Sequence, residues 1–66
     1  MVRLNPFKMA RLRAGLTQQE LAKRLGVSES LVAKWETQRS FPTSDMLVAL
    51  ARELEADPAT LFEREE

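Results

Sequence analysis

Thr17–Thr37, TQQELAKRLGVSESLVAKWET, reads as a helix, a tight turn and a second helix. Thr17 is a side-chain acceptor just ahead of a helical pattern, and Glu20 follows three residues on. This is the spacing of a capping box, in which the hydroxyl accepts from the Glu20 N–H and the glutamate reaches back to the Thr17 N–H. Leu21, Ala22 and Leu25 fall on one face of that helix. Gly26 ends it, since glycine enters the left-handed region without a Cβ penalty. Val27 is the one apolar residue of the turn, and Ser28 caps the next helix. In that helix Val32 and Trp35 point inward, which leaves Glu29, Ser30, Ala33, Lys34 and Thr37 facing outward. Two helices joined by a glycine-containing turn, the second with an exposed polar face, make a helix-turn-helix unit.

The same signals organise the flanks. Asn5 and Pro6 place a cap and a first-turn proline at the start of an earlier helix, where the missing N–H costs nothing. Phe7, Ala10 and Ala14 are expected to line its inner face, Gly15 to end it and Leu16 to pack beneath it. Met1–Leu4 reads as a loose arm. Beyond Thr37, residues 38–43 form a loop with Pro42 at a chain reversal. Ser44 is expected to cap a fourth helix, with Asp45 favourable to its dipole. Leu47, Leu50, Ala51 and Leu54 keep the strongest helical period in the chain. Asp57 and Pro58 repeat the cap-then-proline signal and open a fifth helix, which carries Leu61 and Phe62. There is no internal repeat, no low-complexity segment and no candidate strand.

In a helix-turn-helix unit the second helix enters the DNA major groove. LTQQELAKRLGVS (residues 16–28), then VAKWE (residues 32–36), then Pro42 six residues after Glu36 together resemble the Cro and lambda-repressor-like family. The likeness runs from about Phe7 to Phe62 and rests on an ordered series of residues. It implies an all-α fold: a compact five-helix lambda-repressor-like DNA-binding domain, its central helix-turn-helix at about 17–37. Two positions depart from the family, which usually has glycine where Gln38 stands and often where Glu55 stands. Either these residues take positive φ, or the loops differ locally.

Composition bounds the alternatives. Sixty-six residues make a single domain, 1–66, and a chain this short buries only about 60% of its unfolded surface. It contains no cysteine and no histidine, so no thiolate metal site and neither the commonest metal ligand nor the commonest general base. No cofactor or metal is expected. No apolar run approaches the ~20 residues of a membrane span, and MVRLNPFK lacks the apolar centre of a signal peptide, so the expected compartment is the cytoplasm. Formal net charge is zero, yet residues 1–39 hold eight lysines and arginines against three glutamates, and residues 40–66 hold two arginines against seven acidic residues. That asymmetry predicts a basic face and an acidic back.

Glu29, Ser30 and Lys34 are the residues expected to read bases. Glutamate can accept from cytosine N4, lysine can donate to guanine O6 or N7, and serine can serve either edge. For Glu29 the competing reading is a dipole-favourable residue near a helix start. Leu31 could meet a thymine methyl group. Gln18 lies at a helix N-terminus, where free N–H groups favour a phosphate, and the resemblance implies that it bonds the DNA backbone. The resemblance also lays the loop of Thr37, Arg39 and Ser40 along the phosphates; Arg39 is the foremost phosphate contact expected, and Lys8, Arg13 and Lys23 are lesser candidates. It pairs Arg11 of the first helix with Glu36 at the end of the third, as a structural ion pair. Trp35 is assigned to the core rather than to base stacking; Phe7, Met46 and Phe62 are core or interface.

The resulting expectation is sequence-specific binding of double-stranded DNA by a small transcriptional regulator, most simply a repressor acting as a homodimer on a palindromic operator. Leu61 and Phe62 are the expected dimer surface; the alternative for both is packing inside the monomer. A second reading is an antitoxin-type or other protein-interaction module that also binds its own operator, with Asp57–Glu66 as the acidic surface for a protein partner. An enzyme is the third, disfavoured because no carboxylate pair is set in an apolar pattern.

Overall fold

Every helix of this chain starts on a side-chain cap. The computed structural model describes residues 5–62; the Met1–Leu4 arm and Glu63, Arg64, Glu65 and Glu66 lie outside the described residues. The helices are α1 (Pro6–Arg13), α2 (Gln18–Leu25), α3 (Glu29–Glu36), α4 (Ser44–Leu54) and α5 (Pro58–Leu61), with no strand among the described residues. Asn5 accepts from the Phe7 and Lys8 N–H groups, Thr17 from Glu20, Ser28 from Leu31, Thr43 from Met46 and Asp57 from Ala59. The Thr17–Glu20 capping box is complete in both directions, at 3.0 and 2.9 Å. The fourth helix corrects the expectation: its cap is Thr43, and Ser44 is the first helical residue. Thr43 is extended (φ −63°, ψ 166°) and stands three residues before Met46, so its hydroxyl, not that of Ser44, reaches the orphan N–H.

Four helix ends are also built alike. Gly15, Gly26, Gln38 and Glu55 hold φ of 73°, 71°, 61° and 49°. In each case the next residue's N–H closes back on the last turn: Leu16 to Arg11 O, Val27 to Ala22 O, Arg39 to Lys34 O and Ala56 to Ala51 O, at 2.9–3.1 Å. This is the Schellman arrangement, which satisfies carbonyls that the helix leaves open. The departures at Gln38 and Glu55 are therefore accommodated by the backbone, not by altered loops.

These ends aim five short helices at one core. Phe7, Leu21, Val32, Trp35, Leu50 and Leu61 are all but fully buried, joined by Ala10, Leu16, Ala22, Ala51 and Leu54. α3 packs along α2, while α4 packs on α2, α1 and α5. Ala14 departs from its expected inward place. It caps α1, is exposed and edges an open groove of about 400 Å³ toward Leu54 and Ala56. The inward position of that last turn belongs to Arg11, which is buried. Leu61 is 1% exposed and belongs to the monomer core. Phe62 is half-buried, with its ring 5.5 Å from Phe7 and 5.8 Å from Phe41.

A side chain in the left-handed region costs roughly 1–2 kcal/mol that glycine avoids, part of which glycine returns as backbone entropy. Glu55→Gly is therefore expected to stabilise the fold by about 1 kcal/mol. Urea unfolding measures this, and a destabilised variant would show that the α4 end is not left-handed.

Candidate nucleic-acid interface

The exposed face of α3 follows from what its other face buries. Val32 and Trp35 enter the core, and Glu29, Ser30, Lys34 and Thr37 are exposed. Ala33 is half-buried, and so is Leu31, which packs against the core. Leu31 shares a small apolar groove of about 180 Å³ with Trp35, Phe41, Pro42 and Met46.

The end of α3 is fixed by Glu36. Its carboxylate accepts from Arg11 Nε at 3.1 Å, Arg11 Nη2 at 3.2 Å and Gln18 Nε2 at 3.0 Å. Arg11 spends its remaining reach on the Leu16 carbonyl, 2.8 Å from Nη1. Arg11 and Glu36 are each only 8% exposed. The fork of the guanidinium matches the two carboxylate oxygens. Meanwhile the Glu36 backbone carbonyl accepts from Asn5 Nδ2. Residues of α1, α2 and the α1 cap thus converge on one glutamate. The expected Arg11–Glu36 pair is present; the Gln18 and Asn5 bonds to Glu36 were not foreseen, because residues 18 and 31 positions away carry no local pattern.

Charge is shaped by the same contacts. Burial pushes the Glu36 carboxyl upward, but hydrogen bonds from Arg11 and Gln18 and the charges of Arg11 and Lys8 outweigh it, leaving its pKa below the ordinary value. Glu20 is also held low, first by the Thr17 backbone N–H and then by the Thr17 side chain. Two of the three acids in residues 1–39 are thus engaged in structure, and Glu29 is the remaining one. On the other side Arg24 pairs with Glu53 at 3.3 Å, which ties α2 to α4. Lys8, Arg13, Lys23, Lys34 and Arg39 are all exposed.

A helix C-terminus ordinarily repels a phosphate through its open carbonyls. That of α3 is covered. Ala33 O accepts from the Thr37 N–H and hydroxyl, both at 3.0 Å. Lys34 O accepts from Arg39 at 2.9 Å, Ser40 at 3.4 Å and the Thr37 hydroxyl at 3.3 Å. Trp35 O accepts from Gln38 at 3.2 Å, and Glu36 O from Asn5. Thr37 is exposed and Ser40 half-buried; both give donors to this cover. Arg39 follows directly.

The helix-turn-helix family matches the chain over residues 7–61, and the chain belongs to this Cro/C1-type family, one of DNA-binding transcription regulators. No curated protein and no solved structure matches it.

Removing one partner of a buried ion pair leaves the other charge uncompensated, at a cost of about 3–5 kcal/mol. Arg11→Ala is expected to fall in that range by denaturant unfolding, while Arg11→Met combined with Glu36→Met should cost much less than the two single changes added. The stability difference between the native chain and Glu36→Gln should be full above pH 4.5, the ordinary carboxyl value, and shrink as pH falls through the lowered folded value. A difference that grows on acidification would contradict the assigned shift.

Proposed function

We propose that this helix-turn-helix protein binds double-stranded DNA sequence-specifically and represses transcription as a homodimer on an approximately palindromic operator. The observation that carries the reading is the exposed stripe of α3, Glu29, Ser30 and Lys34, held rigidly at its far end by Glu36. Glu29 and Ser30 lie in the first turn, which enters the groove deepest; Lys34 lies one turn on. A carboxylate, a hydroxyl and an ammonium can each make a distinct base-edge contact. Arg39, Thr37, Ser40 and Gln18 contact the backbone, which sets register without carrying sequence information.

The Gln18 amide nitrogen is engaged with Glu36. Its role at the phosphate therefore falls to its second N–H and to the α2 N-terminus around it. Occupancy of the operator by the bound protein is the mechanism of repression, and no cofactor enters it.

One α3 reads only a few base pairs. A two-fold dimer doubles the footprint and sets half-sites about 10 bp, or ~34 Å, apart. With Leu61 in the monomer core, the pairing surface centres on Phe62 and on Phe41 beside it, which is 45% exposed. Expression of the protein beside a reporter fused to the selected operator tests repression over activation.

Selection of bound duplexes from a random library tests the reading as a whole and should return a palindromic consensus. Single substitutions of Glu29, Ser30 and Lys34 should each change the preferred bases, at about 1–3 kcal/mol for a lost good contact. If none changes the consensus, α3 is not the reading helix. Arg39→Ala should weaken all duplexes by a similar factor and reduce the salt slope by about one. Sedimentation on a palindromic duplex should give two chains per site, and one chain at saturation contradicts the dimer.

A further inference from the structure

Among the described residues, two other than glycine hold positive φ, and they sit in very different company. Glu55 joins α4 to α5 in the acidic half. Gln38 stands between Thr37 and Arg39 at the end of α3, and all three are exposed. In the helix-ending motif that both share, the residue after the left-handed position is commonly apolar and packs back on the helix. Leu16, Val27 and Ala56 do so after α1, α2 and α4. After α3 that place is taken by Arg39, which lies in solvent. This end of α3 therefore turns a run of polar side chains outward where the other three ends bury an apolar one.

Nothing in the packing calls for a side chain at Gln38. Its backbone N–H caps Trp35 O at 3.2 Å, a bond that glycine would make equally well and with less strain. The carbonyls of residues 33–36 each accept at least one hydrogen bond, which weakens their repulsion of an anion near Gln38. Lys34 and Arg39 flank it with positive charge.

We propose that the Gln38 side-chain amide donates a hydrogen bond to a DNA phosphate oxygen next to the Arg39 contact, so that the left-handed side chain is a binding group of the backbone footprint. This rests on the DNA-binding reading above. A phosphate fits better than a base edge, because Gln38 lies beyond the last turn of α3, away from the first turn that reads the groove. A neutral amide displaces no counterion, so its contribution is independent of salt.

The test compares the native chain with Gln38→Gly, Gln38→Lys and the control Glu55→Gly, on a duplex recovered by selection, with unfolding and binding both measured. Gln38→Gly is expected to be more stable than the native chain yet to bind about ten- to a hundredfold more weakly, as for one lost hydrogen bond to a charged group, with the salt slope unchanged. Gln38→Lys should steepen the salt slope by about one, since a cation at a phosphate releases one more counterion. Glu55→Gly should gain stability with affinity unaltered. A Gln38→Gly variant that is more stable and binds as well as the native chain overturns the inference, as does a Gln38→Lys variant with an unchanged slope. If the native chain selects no duplex at all, the DNA-binding reading fails with it, and the two failures are told apart by that measurement alone.

Discussion

The structure depends on one buried carboxylate. Glu36 ends α3, which packs along α2 and buries Val32 and Trp35 in the core. Its C-terminal end is held by polar contacts as well: two bonds from Arg11, one from Gln18 and one from Asn5. A hydrophobic face can slide or rotate at small cost, whereas a bidentate guanidinium–carboxylate pair has one good geometry. Such pairs add little net stability, because desolvation opposes the attraction. In this fold the pair holds the end of the helix that carries Glu29, Ser30 and Lys34. Gln18 extends the same constraint to the N-terminus of α2, so both helices of the unit are indexed to one glutamate.

The helix ends carry the second constraint. A chain of this size has a small core, and each of its helices is too short to be stable alone. Side-chain caps at all five starts and left-handed closures at four ends remove much of the cost of open backbone groups. At α3 the closure does more. Covering the last four carbonyls weakens the negative end of the helix where Lys34 and Arg39 stand. In a chain of zero formal charge, two of the three acids of residues 1–39 are engaged in a cap and a pair, while Lys8, Arg13, Lys23, Lys34 and Arg39 stay in solvent.

Features written in neighbouring residues were legible before the structure. Thr17 with Glu20, Gly26, Ser28, Asn5 with Pro6, and Asp57 with Pro58 act within three residues and needed no tertiary knowledge. Arg11 with Glu36 spans 25 residues and was legible only through family resemblance. The Gln18 bond to Glu36 was hidden, since a glutamine in a first turn has an ordinary surface reading. Thr43 and Ser44 are adjacent hydroxyls of similar capping strength, and only the backbone distinguishes them. Ala14 departed from its expected inward place, and Leu61 took the second of its two readings, packing inside the monomer: which neighbour covers a face is decided by how the ends of α1, α4 and α5 meet. Gln38 and Glu55 were flagged as departures, and their positive φ shows that the backbone kept its course and accepted the strain.

On the reading proposed above, α3, fixed by Glu36, is the surface that meets DNA. Amide chemical-shift changes during titration of the isotope-labelled protein with a selected duplex test it most directly. The largest changes should fall on the start of α2 and on residues 28–40, with the outer face of α4 little affected. Largest changes on α4 and α5, with residues 28–40 unmoved, would contradict it.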